Sequence, residues 1–314
     1  MFSADFLSYN TFIVLVGTSL LGGTSGLIGT FAVLRKRSLT GDALSHAALP
    51  GLCLAFMVWG ERNLFVMLLG AFLSGLLGIG IISGLRAWTR IKEDAAIGIV
   101  LSIFFGAGIV LSRIIQNHVT AGSKAGLDSY ILGKTAGMLS YDVYLIAGLA
   151  LGSLIVVLAL SKEFQLISFD TPFAIVQGWP ALFLDLVLMS LIAIVVVIGL
   201  PAVGVVMMAA LLILPGASAR FWTERLPTMI QISILIGFLT GVVGTITSAT
   251  FSLMPAGPLI VLVGTTFFLI SVLFAPRRGV VARRFRELSF RRELSQQRLL
   301  NLFLAPDKTL KSEI

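Results

Sequence analysis

Gly41-Asp42-Ala43-Leu44-Ser45-His46-Ala47-Ala48-Leu49-Pro50-Gly51 puts a carboxylate and an imidazole four residues apart, at the head of an apolar run long enough to cross a membrane. Four residues is about one helical turn, so Asp42 and His46 project from one helix face. Ionisable side chains inside a bilayer are costly and ordinarily mark an ion or proton pathway. A carboxylate plus an imidazole also suits a first-row divalent metal. The same spacing is equally compatible with a buried Asp–His hydrogen bond that only fixes helix packing.

The surrounding chain is that of an integral membrane protein. Of 314 residues, 57% are hydrophobic and 12% charged, and the mean hydropathy is +1.01. Soluble domains carry about 25% charged residues. The segments 12–34, 64–85, 143–160, 181–200 and 257–275 each approach the ~20 apolar residues that span a bilayer. The first 11 residues lack positive charge and the first apolar run exceeds a signal-peptide core, so no cleavable signal is expected. Cys53 is the one cysteine, which excludes an internal disulfide and cysteine-rich metal sites.

Nine spans are expected, at 12–34, 43–59, 64–85, 95–115, 143–161, 181–200, 203–222, 227–250 and 257–275, with 116–142 able to hold a short re-entrant piece. Nineteen of the 23 Lys and Arg then fall on one side, ten of them after Ala275. Positive charge marks the cytoplasmic side. The N-terminus is therefore expected outside and the C-terminus in the cytoplasm, and the net charge of +8 encodes orientation and not nucleic-acid binding. Small residues recur at helical spacing in Gly22/Gly26, Gly80/Gly84, Gly237/Gly241 and Gly70/Ser74/Gly78, as in closely packed membrane helices.

The longest cytoplasmic loop before the tail is 162–180. Asp170 and Thr171 suit a helix cap, Pro172 its first turn and Gly178 its stop. Phe173, Ala174 and Val176 would give this short helix an apolar face, for docking a partner or for lying on lipid. The tail 281–314 alternates arginine with Val, Phe and Leu, as a basic helix on anionic lipid would.

Other chemical signals are weak. Asp128–Thr135 imitates the end of a P-loop, but a carboxylate stands where glycine is needed, so any ATP must be bound by another subunit. His118 reads as a solvated loop residue. Cys53 reads as a small buried hydrophobe, and a role for its thiolate as a ligand is the lesser alternative. Asp185 either faces an aqueous cavity or reaches the cytoplasmic interface. Its place five residues after Pro180 favours the interface. Glu93 and Asp94, beside Arg90 and Lys92, read as a solvated or partner-facing loop. A hydrolase is disfavoured because Ser45, adjoining His46, points to another face.

The stretch 41–51 resembles the signature G-D-A-L-S-H-A-x-L-P-G of the manganese/zinc/iron ABC transporter permease family. Leu127–Gly133, Val203–Pro215 and Phe274–Gly279 are similar to further family motifs in the same order. Phe169-Asp170-Thr171-Pro172-Phe173-Ala174 departs from the family's F-D-P-E-F-A by moving the proline one place. The resemblance covers about residues 12–280. It implies an all-α membrane protein of about nine helices, similar to the cobalamin-importer type of permease, with residues 1–280 as the permease domain. It implies Asp42 and His46 as metal ligands and 162–180, with Phe169 to Ala174 at its centre, as the ATPase-coupling segment. It further implies separate ATPase subunits, a second permease subunit, an extracytoplasmic metal-binding protein and surrounding membrane lipid. The transported ion would be Mn, Zn or Fe, with no bound cofactor, across a bacterial inner membrane. The competing reading is a stand-alone channel or secondary transporter, for which internal repeats and several intramembrane charges are expected.

Overall fold

A lipid-embedded chain must satisfy its backbone polar groups internally, which for these long apolar runs means helices. The computed structural model describes residues 9–60, 63–118, 133, 135–251, 254–276 and 278–284, and among these no strand forms. The long helices are α1 (Tyr9–Leu34), α2 (Ser38–Trp59), α3 (Leu64–Trp88), α4 (Glu93–His118) and α5 (Ser140–Ala159). Two short helices follow, α6 (Ser161–Phe169) and α7 (Thr171–Val176). Then come α8 (Ala181–Val203), α9 (Val205–Trp222), α10 (Leu226–Thr250) and α11 (Ala256–Phe274).

The nine expected spans correspond to the nine long helices among the described residues. Eight are long and apolar enough to cross a membrane. The ninth, α9, has 18 residues, or about 27 Å, slightly short of the ~30 Å hydrocarbon thickness. It is separated from α8 only by Gly204, whose φ of 83° lies in the left-handed region that glycine tolerates. Between α4 and α5 the described residues include a 3₁₀ turn at Thr135–Gly137. The P-loop-like stretch apart from Gly133 and Thr135, the Leu127–Gly133 motif up to residue 132, the side chain of His118 and the tail beyond residue 284 lie outside the described residues.

Helices α1, α2 and α8 form the interior, and α5 and α11 the rim: the most apolar window of α1 is 72% buried, that of α11 22%. α1 lies centrally because its inner face is nearly free of bulk. Gly22 and Gly26 meet the backbone of Gly237 and Ser233 on α10, and Gly241 meets Thr18. The two small-residue motifs thus face one another. Ser233 Oγ donates to the Gly26 carbonyl (2.7 Å), and the hydroxyls of Thr18 and Thr245 pair at 2.8 Å. With lipid on the outside, such close packing and interhelical hydrogen bonds supply most of the association.

The Gly80/Gly84 motif has no such partner: a Cβ on Gly80 would meet open space. The contrast gives an expected result. Gly237→Val drives a side chain into the Gly22 carbonyl and should destabilise the purified protein by about 2 kcal/mol or more. Gly80→Val should leave the melting temperature unchanged. Equal melting temperatures for both variants would contradict the packing.

Candidate metal pathway and coupling segment

Asp42 lies in the second turn of α2 and His46 one turn further on. His46 Nε2 stands 3.5 Å from Asp42 Oδ1. That is long for a hydrogen bond. It suits two ligands of one ion, since atoms ~2.1 Å from a metal stand about 3.4 Å apart at the tetrahedral angle. The Asp42 side chain is 34% exposed and that of His46 16%, so the pair opens to one surface of the chain.

The imidazole is held by packing. Its ring meets Phe105 of α4 edge-on, with centroids 4.7 Å apart, and its buried Nδ1 has no hydrogen-bond partner. Behind the pair, Ala47 and Gly51 face α3, where Ser74 Oγ donates to the Ala47 carbonyl (2.6 Å) and Gly70 meets Gly51. The Gly70/Ser74/Gly78 stripe therefore serves to seat α3 against the pair's helix. Pro50 does not break α2. It lacks the N–H that would otherwise bond the His46 carbonyl four residues back, which loosens the helix one turn beyond the imidazole.

Among the described residues no group of three or more His, Cys, Asp and Glu side chains comes together. Asp42 and His46 are two ligand-type side chains, short of the four that structural first-row sites use. Cys53 does not add to them: it is buried, and its Sγ donates to the Gly108 carbonyl of α4 at 3.8 Å. A concavity of about 550 Å³ lies further along α2 between α3 and α4. Its lining (Leu54, Leu73, Ile103 and Phe104 among others) is apolar apart from Ser74, which suits hydrocarbon and not an ion.

The segment 162–180 contains two helices where a loop with one short helix was expected. The signal for α6 was the i, i+3 pair Phe164 and Ile167, both buried. Phe164 packs edge-on against Phe31 of α1, centroids 5.6 Å apart. α7 begins as expected: Asp170 Oδ1 accepts the Phe173 N–H (3.0 Å), with Pro172 in the first turn and Gly178 at φ 82° beyond its end. The shifted proline is absorbed because Thr171 takes the first helical place. The expected apolar face divides. Ala174 is fully buried, whereas Phe173, Val176 and, ahead of the helix, Phe169 are exposed. Phe173 and Val176, three residues apart, share a face, and Ala174 is turned about 100° from Phe173.

Asp185, in the second turn of α8, is no lone cavity carboxylate. Arg35 Nη1 lies 2.9 Å from its Oδ1, and Arg37 Nη1 is 2.8 Å from both carboxylate oxygens. The two guanidinium side chains are about nine-tenths buried. The turn that presents them closes α1: Arg37 N–H donates to the Ala32 carbonyl (2.8 Å) and Lys36 N–H to that of Val33 (3.1 Å), a Schellman pattern. Lys36 takes the left-handed place at φ 58°, where a non-glycine residue costs roughly 1–2 kcal/mol. In the sequence Arg35 and Arg37 registered only as charges that set orientation. The signal for more was one acid near the head of an apolar helix.

The profile of the ABC 3 transport family matches residues 8–275. The chain is 48% identical over 291 residues to a manganese transport system membrane protein, MntC, of Bacillus subtilis, covering 93% of this chain and 67% of that protein. It is 42% identical over 276 residues to a zinc transport system membrane protein, TroC, of Treponema pallidum, covering 88% and 92%. Among solved structures, a chain of PsaBC from Streptococcus pneumoniae in complex with Fab superposes with a TM-score of 0.78 at 32% identity, covering 91% of this chain and 97% of that one.

Proposed function

This chain belongs to the ABC 3 transport family, and on that premise we propose that it is the permease subunit of an ATP-driven importer that carries manganese, zinc or iron into the cytoplasm. The observation that carries the metal is the Asp42–His46 pair, two ligand-type side chains 3.5 Å apart on one face of an interior helix. The manganese and zinc systems named for its relatives support the same class of ion. A second permease subunit would bring its own pair and complete a site of two carboxylates and two imidazoles. Mixed O and N donors of this kind accept Mn²⁺, Fe²⁺ and Zn²⁺ without selecting sharply among them.

ATP hydrolysis belongs to separate subunits in this proposal, docked on α6 and α7, where Phe169, Asp170, Thr171, Pro172, Phe173 and Ala174 form the coupling stretch. An extracytoplasmic metal-binding protein would present the ion from the other side. Release follows when the ATP-driven state separates the ligand pairs, because a site is emptied by a conformation that binds the ion less well. The bacterial relatives point to the cytoplasmic membrane as the location. Metal uptake by membrane vesicles holding this chain, with and without its co-purified ATPase, is the test. Uptake that needs neither the ATPase nor ATP would point instead to a channel or secondary transporter.

Orientation has its own expected result. In a Cys53→Ser background, Tyr141→Cys, at the start of α5, should react in intact cells with an impermeant thiol reagent. Glu224→Cys, between α9 and α10, should react only once the membrane is opened. The opposite pattern would invert the topology.

A further inference from the structure

We propose that Arg35, Arg37 and Asp185 are the positioning residues that carry motion from the coupling helices to the helix bearing Asp42 and His46. This rests on the importer reading and adds to it a specific mechanical link. The coupling segment meets the bundle from two sides of the α1–α2 turn. On one side, Phe164 of α6 seats against Phe31, four residues before Arg35. On the other, α7 leads through Trp179 and Pro180 directly into α8, and Asp185 lies in the second turn of α8.

There the two arginines converge on one carboxylate, with N–O separations of 2.8–2.9 Å. Arg37 is also the residue from which α2 starts, its carbonyl accepting the Thr40 N–H at 3.1 Å. Asp42 follows five residues later and His46 one turn beyond it. A displacement of α7 thus passes through α8 and Asp185 to the first residue of the ligand helix. Arg37 Nη1 alone donates to both carboxylate oxygens, Arg35 Nη1 lies on Oδ1 as well, and the group is largely withdrawn from water, which strengthens these charge-assisted contacts. The left-handed backbone at Lys36 turns the chain so that Arg35 and Arg37 both reach Asp185. α1 is held to α10 by backbone contact, and Gly41 near the head of α2 meets Leu212 of α9, so a shift of Asp185 reaches α2 through Arg37.

The test uses the permease–ATPase complex in proteoliposomes with Mn²⁺ as probe, and reads three quantities: Mn²⁺ bound, ATP hydrolysed and Mn²⁺ taken up. In the isosteric variant Asp185→Asn, Mn²⁺ binding should stay within about twofold of the parent and ATP hydrolysis should continue. Uptake per ATP should fall tenfold or more. Asp185→Glu should recover at least half of the coupling. Arg37→Lys, which keeps the charge but replaces the rigid planar guanidinium by an ammonium on a flexible stem, should show an intermediate loss and serves if Asp185→Asn does not assemble. Unchanged uptake per ATP in Asp185→Asn or Arg37→Lys would overturn the link, as would a loss of uptake fully explained by lost Mn²⁺ binding. Absence of ATP-driven uptake by the unmodified complex would instead overturn the importer reading, and this link with it.

Discussion

Replacing Asp42 or His46 by alanine is expected to lower metal uptake by about a hundredfold or more while leaving the protein inserted and bound to its ATPase. Loss of an outer-sphere partner of a metal ligand already costs about 10–100-fold in affinity or activity, and on the proposed reading each substitution removes a ligand itself. In a paired permease each substitution takes two of four ligands at once. The fold should tolerate the change. The Asp42 side chain is a third exposed and His46 Nδ1 makes no hydrogen bond, so truncation leaves no buried donor or acceptor newly unpaired. His46→Ala forfeits the edge contact with Phe105 and should cost some stability. Asp42→Asn separates charge from shape, keeping an oxygen ligand but weakening it. Uptake of radioactive or fluorescent-reporter metal, measured with the amount of assembled complex, checks this. Normal uptake by either alanine variant would reduce the pair to a packing contact.

The second large effect is expected at Phe173. The residue is 49% exposed on the outer face of α7, with Val176 and Phe169 exposed nearby. Docking interfaces depend on a few apolar anchors, and truncating one removes about 2 kcal/mol or more, roughly a thirtyfold loss of affinity. Phe173→Ala should therefore shed the ATPase and stop uptake, while Mn²⁺ binding at Asp42 and His46 persists. Asp170→Ala should do less, since it removes a helix cap worth about 1 kcal/mol. Pull-down of the ATPase and uptake are measured on the same preparation. Full retention and full uptake with Phe173→Ala would make α7 a helix resting on lipid.

Much of this architecture is legible along the chain because its causes are local. Span length follows from bilayer thickness. The shared face of Asp42 and His46 follows from the helical repeat. Asp170, Pro172 and Gly178 mark the bounds of α7 by the chemistry of helix ends. The exposure of Phe173 and burial of Ala174 were not legible, because a six-residue helix carries too little periodicity to say which side meets the bundle. α6 was passed over for a related reason: Phe164 and Ile167 are two apolar residues in a polar stretch, and only the groove beside Phe31 makes them core.

The sequence by itself determined an all-helical membrane protein, its long helices, the shared face of Asp42 and His46 and the start and stop of α7. Tertiary structure alone decided which like motifs find one another. Gly22/Gly26 and Gly237/Gly241 read the same as Gly80/Gly84, yet the first two interlock and the third meets no other helix. It alone joined Arg35 and Arg37 to Asp185 across about 150 residues of chain. Spacing states which side chains share a face. It carries no information about which distant face lies opposite, because that choice is made by the packing of all the helices together.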